Sequence, residues 1–106
     1  MAWFLLFVAG LCEVAWAITL KYSEGFTRLW PTVGVFSGGI VSVVLLGLAV
    51  KQIPIGTAYA VWTGIGAIGT AVLGIVLFNE PRTALRLACM ALIVLGIAGL
   101  RLLSPR

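Results

Sequence analysis

Glu13 lies inside an apolar stretch, Trp3 to Leu20, that is about long enough to cross a bilayer. A carboxylate near the membrane midplane costs about 3 kcal/mol on insertion scales, so acids placed there usually face a cavity and bind something. Neither of the other two acids, Glu24 and Glu80, has such a setting. Trp16 follows Glu13 by one helical turn, with Gly10 and Ala17 on the same face. The small neighbours leave space in front of the carboxylate, and the indole borders that space. Further along, Tyr59, Trp62 and Thr63 share a face at i, i+3 and i+4, and Ser42 stands near the middle of another apolar run beside Gly38 and Gly39.

A carboxylate, two indoles, a phenol and one or two hydroxyls suit a small organic cation. Aromatic faces attract a desolvated cation by about 2 kcal/mol, and a carboxylate offers a planar guanidinium two matching acceptors. Ser42 is expected to hold the carboxylate oxygens in the required plane. A site that takes a proton when empty and a cation when occupied couples the movement of one to the other. Two bland readings stand beside this one: Glu13 as a packing acid capped by hydroxyls in a non-transporting membrane subunit, and Tyr59 and Trp62 as interfacial or core aromatics. Trp3 and Trp30, at the ends of apolar runs, read as membrane-interface anchors.

The elements that must carry these residues are four apolar runs, at about 2–20, 32–50, 55–78 and 84–103, separated by Lys21, Pro31, Lys51, Pro54 and the Asn79-Glu80-Pro81 break. Each is long enough for a helix across about 30 Å of hydrocarbon. With 62% hydrophobic and 9% charged residues among 106, against about a quarter charged in soluble domains, the fold class is all-α. The chain reads as one integral membrane domain of four transmembrane helices. The first run has no basic region or cleavage site of a signal peptide and is expected to be retained.

Short connections make neighbouring helices antiparallel. One side then carries Lys51, Arg101 and Arg106, and the other Lys21, Arg28, Arg82 and Arg86. Orientation follows an excess of Lys and Arg on one side, and here the two sides nearly balance, which predicts insertion in both directions. Four short helices do not readily surround a pocket with alternating gates. A homodimer of oppositely inserted subunits supplies the inverted pair that larger transporters build from internal repeats, with both Glu13 side chains in one shared cavity.

Gly34, Gly38 and Ser42 form one ridge of small residues, and Gly66, Thr70 and Gly74 another; such ridges allow close helix approach within a subunit or across a dimer seam. Gly64-Ile65-Gly66-Ala67-Ile68-Gly69 matches the dinucleotide-binding fingerprint by letter, but that motif needs a strand before it and a helix after it. The cluster is read instead as loosening the third helix around Gly64 and Gly66, or as packing. The absence of Asp and His leaves metal binding and histidine catalysis without groups, so neither enzyme activity nor cofactor nor metal is expected. The dispersed net charge of +4 is no nucleic-acid footprint. Cys12 and Cys89 read as small apolar residues.

Three segments carry a family resemblance: Glu13-Val14; Lys21-Tyr22-Ser23-Glu24-Gly25-Phe26-Thr27-Arg28; and the run from Pro54-Ile55-Gly56-Thr57-Ala58-Tyr59 through Trp62-Thr63-Gly64-Ile65-Gly66. On these the chain resembles the small multidrug resistance family of proton-coupled exporters over essentially its whole length. The resemblance implies an antiparallel, dual-topology homodimer in the bacterial inner membrane, with Glu13 of both subunits binding protons or substrate alternately. Trp16, Gly56-Thr57-Ala58-Tyr59 and Trp62-Thr63-Gly64 are similar to the guanidinium exporter branch. That branch implies guanidinium as substrate and a site lined by Glu13, Trp16, Ser42, Tyr59 and Trp62, with Glu13 and Ser42 nearest the guanidinyl group. Lys21 matches a basic residue common to both branches. The first loop reads more like the multidrug branch, which leaves quaternary ammonium export as the alternative, and Cys89 stands where that branch has glycine.

Overall fold

The structure, a computed structural model, describes residues 1–103; Arg106, counted above, lies outside them. Four helices cover nearly all of it: α1 (Ala2–Tyr22), α2 (Leu29–Ala49), α3 (Ile55–Phe78) and α4 (Ala84–Leu103). All four are long and apolar enough to cross a membrane.

Their ends follow from local chemistry. α1 continues through Lys21 and stops where the buried Ser23 hydroxyl donates to the Leu20 carbonyl (2.7 Å) and accepts from the Phe26 amide (3.2 Å). Glu24, Gly25 and Phe26 then take left-handed backbone conformations, with φ of 50°, 73° and 68°. α2 begins three residues earlier than Thr32, because Pro31 falls in its first turn, where the missing N–H is one that a helix leaves unpaired anyway. α3 starts directly after Pro54, whose carbonyl accepts from Ala58 N at 2.9 Å. It ends at Asn79, left-handed with φ 55°, a conformation asparagine tolerates better than most residues.

The helices stand in the lateral order α2, α1, α3, α4, with α1 packed on both α2 and α3, α2 and α3 touching narrowly, and α4 packed mainly on α3. The molecule measures 43 × 35 × 17 Å. Its thinnest dimension is less than two helix diameters, each about 10–12 Å. The result is a slab rather than a four-cornered bundle. α1, α2 and α3 touch one another, α2 and α3 only narrowly, and the cavity beside Glu13 is bordered by α1 and α3 rather than enclosed by all three.

One end of the slab is densely packed: Leu6, Ala49, Ile53, Ala58 and Val61 are buried together. There Arg101 lies over the Trp3 ring, 4.9 Å from its centroid. At the other end Lys21 lies 5.2 Å over the Phe78 ring, and Arg86 pairs with Glu80. The ridge of Gly34, Gly38 and Ser42 faces α1, against Thr19, Trp16 and Ala9, so it is a packing surface within one chain. α4 has no buried residue. It presents Leu92, Leu95 and Leu102 outward, as α2 does Phe36, Ile40 and Val44, at no cost where the neighbour is a lipid chain.

Candidate functional site

α1 and α3 border a cavity of about 560 Å³ into which Glu13, Trp16 and Thr63 all project, with Ala17, Gly66 and Thr70 among its walls. Three of the expected site residues thus meet in one space. Among the described residues, the Glu13 side chain makes no hydrogen bond and no ion pair; the only salt bridge is Arg86 to Glu80. Its oxygens are free to accept from a ligand.

Gly66 is what allows the carboxylate to sit there. A methyl group at that position would stand 2.7 Å from Glu13 Oε2 and 2.9 Å from Cγ. Gly64, two positions away on the other side of Ile65, faces α4 instead, where a methyl would stand 2.8 Å from Ile97 Cδ1. α3 is unbroken from Ile55 to Phe78. Both glycines are places of close approach between helices. Gly10 is buried against Ile65 and sets the spacing of α1 and α3 without lining the cavity.

Ser42, Trp62 and Tyr59 form a second group beside the first. The buried Ser42 hydroxyl donates to the Ala9 carbonyl at 2.7 Å and accepts from Trp62 Nε1 at 2.9 Å. Its only proton is thus committed to α1, and the expectation that it aligns the Glu13 carboxylate does not hold. Ala9 lies four residues before Glu13, so its carbonyl is the one that accepts the Glu13 amide in an α-helix. Ser42 fixes the backbone turn that carries the acid rather than the acid itself. Tyr59 packs on Trp62 with ring centroids 5.5 Å apart, but is 55% exposed and outside the cavity. Trp16 also walls an apolar groove on the α2 side with Phe36, Gly39 and Val43.

The mouth of the cavity holds residues that the sequence did not point to as site members: Lys21, Phe78, Glu80 and Arg86. The only signal for Glu80 was its place in the Asn79-Glu80-Pro81 break, which reads simply as a helix stop.

These features define a multi-pass membrane protein whose one membrane-embedded acid faces an open cavity. Residues 1–93 match the sequence profile described as Small Multidrug Resistance protein, and the chain belongs to that family. It is 58% identical over 102 residues to the guanidinium exporter of Escherichia coli (strain K12), covering 96% of this chain and 97% of that one. It is 55% identical over 104 residues to the guanidinium exporter of Proteus vulgaris, covering 98% and 100%, and 56% identical over 104 residues to that of Yersinia pseudotuberculosis, again covering 98% and 100%. Four membrane-length helices and this family make the chain a multi-pass protein of the bacterial inner membrane.

Proposed function

We propose that the protein exports guanidinium, or small cations bearing a guanidinyl group, in exchange for protons, the two competing for Glu13. The observation that carries this is the Glu13 side chain, facing a cavity with no partner among the described residues. A guanidinium fits a carboxylate through two parallel N–H···O bonds, with the Trp16 indole as an aromatic wall and Thr63 as a nearby hydroxyl. Ser42 and Trp62 act by holding the Glu13 turn, and Tyr59 backs Trp62. The names of the relatives, which are exporters rather than enzymes, agree with this reading.

The working unit is an antiparallel homodimer, inserted in both orientations. A slab 17 Å thick cannot seal a cavity on its own, and a second copy laid over the open face closes it and adds a second Glu13. The apolar groove behind Trp16 favours one alternative, export of quaternary ammonium cations, which have no N–H to donate and bind through aromatic contact alone.

Purified protein in liposomes with an imposed pH gradient tests both. Guanidinium uptake should follow the gradient, exceed tetramethylammonium uptake, and vanish in Glu13→Gln. Its KM should rise as pH falls, because protons occupy the same oxygens. Equal guanidinium flux in Glu13→Gln would refute the proposal, and preferred tetramethylammonium flux would select the alternative.

A further inference from the structure

We propose that Glu80 forms an outer cation site at the mouth of the Glu13 cavity, where a guanidinium-type cation docks before passing along α3 to the membrane-embedded carboxylate. The inference rests on the transport reading above and adds a binding position to it.

The geometry begins at Asn79. Its left-handed conformation reverses the chain at the end of α3, so that the Glu80 amide donates back to the Gly74 carbonyl at 3.3 Å. The Glu80 carboxylate then lies on the last turns of the helix, against Gly74, where a methyl group would stand 2.8 Å from its Cδ. Only a glycine at 74 leaves that position open. Gly66 stands in the same relation to Glu13. The two glycines are eight residues apart on one face of α3, a rise of about 12 Å at 1.5 Å per residue. Thr70 lies midway and lines the same cavity. The ridge of small residues in α3 is thus the floor of a passage with a carboxylate at each end.

The chain's own cations show what this mouth accepts. Arg86 places a guanidinium nitrogen, Nη2, 3.7 Å from Glu80 Oε1, with both side chains about two-fifths exposed. That separation is an ion pair but too long for a hydrogen bond, so the carboxylate oxygens keep their acceptor capacity for N–H donors. Beside it the Lys21 ammonium lies over the Phe78 ring. A free guanidinium entering here meets an acceptor already facing one guanidinium and an aromatic face already holding a cation. Arg86 is therefore an internal competitor, and its removal strengthens docking rather than weakening it.

The test uses the full chain in liposomes. Glu80→Gln, which preserves shape, should raise the KM for guanidinium about three- to fivefold, the scale of an exposed charge contact, with the maximal rate unchanged. Arg86→Gln keeps the carboxylate and should lower the KM, which supports the site even where Glu80→Gln fails to assemble. In Glu13→Gln protein in micelles, guanidinium chloride should shift the Gly74 amide resonance saturably. The shift should be absent in the Glu13→Gln/Glu80→Gln double variant. An unchanged KM in both transport variants, or a Gly74 shift that sodium chloride reproduces, overturns the outer site. Failure of the wild type to move guanidinium overturns the transport reading instead, and the Gly74 titration still decides this site.

Discussion

A single missing methyl group decides whether Glu13 can occupy its cavity. At Gly66 the first atom of any side chain would enter the space of the carboxylate, 2.7 Å from Oε2. Gly66→Ala is expected to leave the helices assembled while lowering guanidinium affinity at least tenfold, measured by equilibrium binding in detergent. Tight binding in that variant would show that Glu13 works from another rotamer. Ser42 makes a different prediction. Ser42→Ala removes a donor from the Ala9 carbonyl and orphans the Trp62 indole N–H, and polar contacts between membrane helices are worth about 0.6 kcal/mol and at most about 1.7. A loss of stability in that range, read from unfolding in mixed micelles, should accompany weakened substrate binding. Weakened binding with full stability would mean that Ser42 touches substrate directly.

At the scale of elements, the glycines of α1 and α3 are not equivalent, although the sequence presents them alike. A methyl at Gly10 meets Ile65 at Cγ2 (2.5 Å) and Cβ (2.7 Å), next to the α3 backbone, and the helices must separate to admit it. A methyl at Gly64 meets chiefly the outer end of Ile97 on α4, at Cδ1. Overpacking a well-filled interior costs about 1–3 kcal/mol. Gly10→Ala should fall in that range and Gly64→Ala below it, because the tip of Ile97 can rotate away. Unfolding midpoints of the two variants, compared in the same detergent, check the order. The same comparison shows why helix identity was legible in the sequence and glycine function was not. Length, apolar content and charged breaks define each span, whereas the role of a glycine depends on which atom of another helix stands opposite it.

For the whole molecule, the prediction concerns insertion. Lys21, Arg28, Arg82 and Arg86 belong to one end of the slab, and Lys51 and Arg101 to the other, among the described residues. Such a balance gives the membrane little with which to choose an orientation. A cysteine-free variant carrying a single reactive thiol at its C-terminus should label from both faces of the membrane in comparable amounts. Labelling from one face only would remove the inverted dimer. The slab shape supplies a physical motive for the proposed dimer, since α1 has neighbours on two sides and its remaining surface, with the cavity, is open.

By itself the sequence determined the chemistry. One acid in an apolar span, indoles at helical spacing and four membrane-length runs follow from residue type and period, because both burial in lipid and helical geometry are local rules. Only the tertiary structure decided which groups share a space. It brought Glu13, Trp16 and Thr63 into one cavity, turned the Ser42 proton to Ala9, left Tyr59 outside, and folded Glu80 back to the cavity mouth. Those outcomes depend on the lateral order of the helices and on the rotation of each about its axis. Both are set by contacts between residues far apart in the chain, which no local pattern encodes.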